Sequence, residues 1–138
     1  WLLADEMIRN PAIEEPKAYV HNLAEYIASQ RICIEVCLTS NLQTLPHMKT
    51  IAKHPLRKML DASLSVSICT DNRLMSNTTV TREIMLAVEH LKLTRRELRN
   101  VVVAGFKGSF FPGDYTEKRA YVRQVIDRYE QIENELLA

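Results

Sequence analysis

The stretch Leu64–Asp71, which reads LSVSICTD, decides the fold because large apolar and small polar side chains alternate along it. A period of two predicts a β-strand whose apolar face carries Leu64, Val66 and Ile68. Serine and cysteine side chains point the other way, and Asp71 follows at the end of the strand. Strands of parallel sheets are covered on both faces. The small polar face is therefore predicted to line an interior that ends in a carboxylate.

A second stretch of the same kind lies upstream, at residues 32–37 (ICIEVC), with Glu35 on its polar face. A carboxylate within an apolar strand needs a partner because burying it unpaired is costly. The connection between the two strands is long and includes a predicted helix near residues 55–62, which is typical of a parallel βαβ unit. In a (β/α) barrel, an inward carboxylate such as Asp71 at the carboxyl end of a strand lies at the mouth of the active site.

The remaining segments are predicted to be mainly helical. Helices are expected at residues 15–30, at residues 81–91, from Thr94 (in a capping box) and from Asp114. Residues 39–46 and 105–113 are predicted loops. The helix at residues 81–91 is expected to turn Ile84, Met85 and Val88 towards the core.

Composition excludes several classes of protein. The 138 residues are 46% hydrophobic and 25% charged, with a net charge of +1, so the chain is not intrinsically disordered. Its 18 Lys and Arg against 17 Asp and Glu leave no excess of positive charge for phosphates, so we expect no nucleic-acid partner. No apolar run approaches the roughly 20 residues of a membrane span, so we expect no membrane partner.

The cysteines and histidines form no self-contained metal motif. Cys33, Cys37 and Cys69 occur in apolar runs and are interpreted as reduced, buried thiols of a cytoplasmic protein. On one strand, Cys33 and Cys37 would lie roughly 13 Å apart, too far to share a zinc ion. The four histidines show no His-x-His or His-Glu-x-x-His spacing.

Three segments resemble the carboxyl-terminal part of the adenosine deaminase family, bacterial type. They are residues 32–44 (ICIEVCLTSNLQT), 54–84 (HPLRKMLDASLSVSICTDNRLMSNTTVTREI) and 97–112 (ELRNVVVAGFKGSFFP). The most specific signature is TDNRLMS after a strand of small residues. The resemblance implies an α/β fold, the carboxyl-terminal portion of a TIM-type (β/α)8 barrel with about its last two parallel strands. Residues 1–138 would then be one segment of a single barrel domain whose amino-terminal strands are absent from this chain.

The resemblance also implies a function and a set of site residues. The family carries out zinc-dependent hydrolytic deamination of adenosine or deoxyadenosine to inosine and ammonia, by attack of an activated water on purine C6. Asp71 matches the catalytic aspartate that contacts the zinc. Asn72 matches the residue that binds purine N7; vertebrate enzymes usually have aspartate there, and the asparagine NH₂ can donate instead. Ser40 and Glu35 match residues that orient groups around the metal. One zinc per site is implied, with its other ligands upstream of Trp1.

Two alternatives stay open at this point. The substrate could be a related purine, namely adenine, an adenine nucleotide or a modified adenosine. The lack of a glycine-rich phosphate loop favours an uncharged purine nucleoside. The chain could instead be an inactive, deaminase-like scaffold, although Asp71 argues against this. In either case, we expect the 138 residues alone to be insoluble or inactive.

Overall fold

The computed structural model describes residues 10–138 and consists of a two-stranded sheet with helices packed against it. The two strands are β1 (Cys33–Val36) and β2 (Ser65–Ile68). The helices are α1 (Pro16–Ser29), α2 (Leu38–Thr44), α3 (Leu56–Asp61), α4 (Arg73–Ser76), α5 (Val80–Leu91), α6 (Arg95–Gly108) and α7 (Tyr115–Leu137), with a short 3₁₀ turn at Ile51–Lys53.

The strands are parallel, as the sequence predicts. Cys33 pairs with Ser65 and Glu35 with Ser67, so the small polar residues of both strands share one face. The connection contains α2, the 3₁₀ turn and α3. Because the strands run in the same direction, the residues that follow β1 and β2 lie at the same edge of the sheet, next to the carboxyl ends of both strands.

The turns that lead from α1 into β1 and from α3 into β2 share one geometry. Arg31 and Ser63 both adopt the left-handed conformation, with φ of 52° and 57°. In each turn the next amide, that of Ile32 or Leu64, donates to a carbonyl five residues earlier, at 3.2 Å and 3.0 Å respectively. These bonds satisfy the last helical carbonyls without a glycine. This is one reason why the chain manages with only 3 glycines.

The core centres on the apolar face of the sheet and joins β1 and β2 to α2, α3, α5 and α6. Leu38 and Leu56 are completely buried. The other members of the cluster are Val36, Ile51, Leu64, Val66, Ile68, Ala87, Leu91, Leu93 and Val101. Burying a leucine of this kind contributes about 1.5–3 kcal/mol to folding. The cluster therefore fixes the strand ends relative to the helices that follow them.

The small polar face has two uses, of which the sequence analysis anticipated one. Part of this face lines an open groove of about 820 Å³. On the other part, α6 packs closely, since a Cβ added at Gly108 would lie 2.8 Å from Cys33 Cβ and one at Gly105 would lie 3.4 Å from Ser67 Cβ. Glycines on the helix and small residues on the strands permit this approach. The predicted loop at residues 105–113 is therefore wrong in its first half, because α6 continues to Gly108.

Two further expectations are corrected. Residues 39–46 are not simply a loop, since α2 begins at Leu38, directly after β1, and ends at Thr44. On α5, the buried residues are Glu83, Ala87 and Leu91. Met85 and Val88, which the apolar pattern placed in the core, are 54% and 37% exposed. The helix is rotated towards Glu83 because polar partners satisfy that carboxylate, as described below.

The structure confirms the two predicted helix starts at Thr94 and Asp114. Thr94 and Asp114 each form a capping box, with Glu97 and Glu117 respectively, at the starts of α6 and α7. Reciprocal bonds of this type satisfy the free amides of a first turn.

Within residues 10–138, no helix combines the length and the apolar character that crossing a membrane requires.

Candidate active site at the carboxyl ends of the strands

Asp71 and Ser40 meet at the carboxyl edge of the sheet. Ser40 lies in the first turn of α2, just after β1, and Asp71 follows β2. The Ser40 hydroxyl donates a hydrogen bond to Asp71 Oδ2 over 2.8 Å. Ser40 is buried, whereas Asp71 is exposed. A buried hydroxyl therefore orients an exposed carboxylate.

The backbone at Asp71 turns the chain sharply between β2 and α4. Its φ is 55°, in the left-handed region that aspartate and asparagine tolerate better than most residues. Within the described residues, the second carboxylate oxygen, Oδ1, accepts no side-chain or backbone hydrogen bond. That oxygen can therefore contact a ligand while Oδ2 stays with Ser40.

Asn72 is the N-cap of α4, and this role orients its side chain. The carboxamide oxygen accepts hydrogen bonds from the amides of Leu74 and Met75, both at 3.1 Å. The two backbone donors identify the oxygen end of the amide group. The NH₂ end is left to donate elsewhere, which is the property that a bond to a purine ring nitrogen requires.

Glu35 is placed apart from this pair. Its side chain is exposed and lines the groove together with Ser67 and Cys69. No hydrogen bond or ion pair of Glu35 is found within residues 10–138, so the partner that the sequence analysis expected does not come from these residues. Ser40, Asp71 and Asn72 are thus brought to one edge, whereas Glu35 lies on the inner face further back.

The cysteines near the site are thiols. All three cysteines of the chain are free and partly buried. Burial, followed by the proximity of Cys69 and of Asp71, raises the pKa of the Cys37 thiol to about 11. At neutral pH this group is protonated. A protonated thiol is a poor nucleophile.

The described residues do not form a complete metal site. Catalytic zinc takes three protein ligands and an open position. Across residues 10–138, no group of three or more His, Cys, Asp or Glu side chains is arranged to hold a metal ion. The exposed carboxylate of Asp71 has the chemistry of a single ligand.

His54 is a buried structural residue. The Leu56 amide donates to Nδ1 over 3.0 Å, so Nε2 carries the proton and donates to Asn41 Oδ1, also over 3.0 Å. Burial lowers the pKa of His54 to about 4. Both ring nitrogens therefore take part in hydrogen bonds within the described residues.

Glu83 is a buried polar residue that the sequence analysis missed. It is 0% exposed. Its Oε2 accepts from the Thr39 amide over 3.0 Å, and its Oε1 accepts from the Thr78 hydroxyl over 2.7 Å and from the Thr39 hydroxyl. The signal lay in the spacing, because Glu83 shares one helical face with Ala87 and Leu91. The apolar pattern of the helix drew attention to a different face.

Two parallel strands joined through helices, with polar groups at their carboxyl ends, form a βαβ unit of the kind that a TIM-type (β/α)8 barrel repeats. The sequence model of the adenosine deaminase family matches residues 12–128. The chain belongs to the adenosine deaminase family.

Individual relatives agree with this assignment. The chain is 34% identical over 107 residues to adenosine deaminase of Enterococcus faecalis, covering 75% of the chain and 31% of that protein. It is 33% identical over 125 residues to adenosine deaminase 1 of Streptomyces coelicolor, covering 90% of the chain and 31% of that protein. The chain therefore spans about a third of the length of these relatives.

Solved structures share the fold. The adenine deaminase of Arthrobacter aurescens superimposes with a TM-score of 0.68 at 20% identity, over 80% of the chain and 32% of that structure. The N6-methyl-AMP deaminase of Arabidopsis thaliana gives 0.62 at 28% identity, over 74% and 29%. An amidohydrolase from Burkholderia ambifaria with bound zinc gives 0.64 at 25% identity, over 80% and 31%.

Proposed function

We propose that this chain forms part of the active site of a zinc-dependent hydrolytic deaminase that converts adenosine or deoxyadenosine to inosine and ammonia. The observation that carries the proposal is the Ser40–Asp71 hydrogen bond of 2.8 Å at the carboxyl edge of the sheet. Membership of the adenosine deaminase family supports the reaction class. In this reaction the purine C6–N bond breaks and a C6–O bond to water forms.

Each site residue is assigned one task. Asp71 would provide one ligand to a zinc ion, and the other ligands would come from outside the described residues. Ser40 holds that carboxylate in one orientation. Asn72 donates from its NH₂ to purine N7 while its oxygen caps α4. Glu35 lines the groove on the inner face, where it would orient groups around the metal.

We propose that residues 1–138 are the carboxyl-terminal segment of a single barrel domain. The chain covers 31% of the Enterococcus faecalis relative, which supports its being a segment of a larger domain. In residues 10–138 the sheet has only the β1–β2 pairing, so each strand has one edge without a partner. The other barrel strands would pair with these edges. A cytoplasmic location is also proposed, supported by three free cysteines.

A second candidate substrate is an adenine nucleotide or a modified adenosine. Matched Arabidopsis structures were solved in complex with GMP and with IMP, at 27% identity to this chain. A panel of adenosine, adenine, AMP and N6-methyl-AMP distinguishes the candidates by their kcat/KM values. A preference for the nucleoside supports the first candidate, and a preference for a nucleotide supports the second.

The decisive experiment removes the charge of Asp71. The gene is expressed with any coding sequence that precedes Trp1, and ammonia release is measured with zinc present. We expect Asp71→Asn to lower kcat at least about 100-fold, because the amide is a poor substitute for a carboxylate ligand. Asp127→Asn, on the exposed side of α7, is the matched control. Equal rates in both variants would contradict the proposal, and an unmodified protein without any deaminase activity would favour the inactive scaffold.

A further inference from the structure

We propose that Glu83 is a positioning residue that holds Ser40 and Asp71 together by connecting the segments that follow the two strands. The inference rests on the proposed function, since it concerns the same carboxylate. Glu83 lies on α5, outside both segments, and is completely buried. Each polar contact of its carboxylate is with a threonine of one segment or the other.

The first contact supplies what the start of α2 lacks. Cys37 is the N-cap of α2 but makes no side-chain capping bond, and the first turn has no acidic residue. The first amides of a helix need an acceptor from elsewhere. Glu83 Oε2 accepts from the Thr39 amide over 3.0 Å. A carboxylate at this end of the helix is also favoured by the helix dipole.

The second contact reaches the segment that follows β2. After α4 the chain turns at Asn77, whose φ is 45°, and enters the buried residue Thr78. The Thr78 hydroxyl donates to Glu83 Oε1 over 2.7 Å. Thr79 then caps α5, on which Glu83 lies. The carboxylate therefore fixes the far end of the segment that begins at Asp71.

Together these contacts form a closed circuit. Thr39 is covalently bonded to Ser40, and Ser40 donates to Asp71 over 2.8 Å. Asp71 is connected through α4 to Thr78, and Glu83 joins Thr78 back to Thr39. A shift of one segment is thus transmitted to the other. A displacement of this kind near a reacting group is costly, since catalysis depends on alignment.

The circuit explains why a carboxylate is buried here. An unpartnered charge in the core would destabilise the fold, but here three donors surround the group. A purely structural role would affect stability alone. A positioning role affects kcat and the mobility of both segments, and that difference is the basis of the test.

The test compares Glu83→Gln with Glu89→Gln, an exposed glutamate on the same helix, in the complete gene product. We expect Glu83→Gln to lower kcat about tenfold or more, with KM within about twofold, in addition to a lower urea midpoint, because the amide accepts fewer of the three hydrogen bonds. The control should keep the unmodified kcat. We also expect Ser40→Ala to lower kcat less in the Glu83→Gln background than in the unmodified protein, because Ser40 and Glu83 both act through the carboxylate of Asp71. An unchanged kcat, or fully additive effects, would overturn the inference.

Hydrogen–deuterium exchange provides a readout that does not need activity. Exchange of residues 38–41 and of residues 71–76 should rise together in Glu83→Gln and stay unchanged in Glu89→Gln. A rise confined to one segment would overturn the circuit. If the unmodified protein deaminates no purine, the proposed function fails. The exchange measurement still tests whether Glu83 connects the two segments. If Glu83→Gln does not fold, Thr78→Val, which removes one hydroxyl at similar size, should show the same paired rise to a smaller extent; unchanged exchange in a folded Thr78→Val would overturn the inference.

Discussion

The hydroxyl of Ser40 donates to the carboxylate of Asp71 over 2.8 Å, although 31 residues separate them in the sequence. Each follows one of two parallel strands, so the sheet brings them to a common edge. The bond leaves one oxygen of Asp71 available to a ligand. Most of the site's testable properties depend on this pair and on the helices that support it.

Replacing Ser40 by alanine should weaken catalysis without unfolding the protein. A hydrogen bond to a charged group contributes about 1.5–3 kcal/mol, so a 10- to 100-fold decrease in kcat is expected if its full value is expressed in the transition state. Steady-state kinetics of ammonia release measure the effect. Ser29→Ala, at an exposed serine at the end of α1, is the control. Unchanged kcat in Ser40→Ala would show that the bond does not orient Asp71 for the reaction.

Asn72 offers a test that separates substrate binding from helix capping. Asn72→Asp keeps the cap of α4, because a carboxylate oxygen can accept from Leu74 and Met75. An ionised carboxylate, however, cannot donate to purine N7. We expect KM of Asn72→Asp to fall as the pH is lowered towards the range where a carboxyl protonates, relative to the unmodified protein. Parallel KM–pH profiles for the two proteins would exclude a donor role.

The purified 138-residue chain should show no deaminase activity in the presence of zinc. Its described residues hold no group of three or more metal-ligating side chains, and Asp71 is proposed as a single ligand. The measurement is ammonia release from adenosine, with the complete gene product as the positive control. Zinc-dependent turnover by the chain alone would show that it contains a full site.

His54 should make stability depend on pH. Burial lowers its pKa from 6.5 to about 4, so the unfolded chain binds a proton that the folded chain rejects. The contribution of His54 to the free energy of unfolding is therefore fully present above pH 6.5. It is lost as the pH falls towards 4, by at most about 3 kcal/mol. Urea unfolding across this range measures the slope. His54→Gln should be less stable at neutral pH but lack this component, and an equal slope in both proteins would contradict the assignment.

The core can be tested with a matched pair of leucines. Leu56 is 0% exposed and Leu74 is 92% exposed. Leu56→Ala should lower the free energy of unfolding by about 2–5 kcal/mol because it leaves a cavity. Leu74→Ala should change it by less than about 0.5 kcal/mol. Similar losses in both variants would mean that the apolar face of the sheet is not the core.

Local features of the fold were predictable from the sequence. The alternation in residues 64–71 predicts β2, and the capping boxes at Thr94 and Asp114 predict the starts of α6 and α7. These features depend on neighbours within one strand or one helical turn. The resemblance to a family added Ser40, Asp71 and Asn72 as site residues, but it did not provide their distances.

Other features depended on contacts between distant segments. The apolar pattern of α5 favoured Met85 and Val88 as core residues, whereas the folded chain buries Glu83 instead. Only its two threonine partners make that carboxylate acceptable in the interior, and neither is its neighbour on the helical face. Likewise, the sequence of residues 105–108 is typical of a loop. The continuation of α6 there is evident only from its packing against Cys33 and Ser67.

By itself, the sequence determined the strands, their parallel connection and the helix starts, because alternation, chain length and capping act over short distances. The tertiary structure alone decided which polar groups meet. It joined Ser40 to Asp71 and buried Glu83 between the two segments that follow the strands. The physical reason is that a hydrogen bond between distant residues forms only after the core has fixed the strands and helices relative to one another.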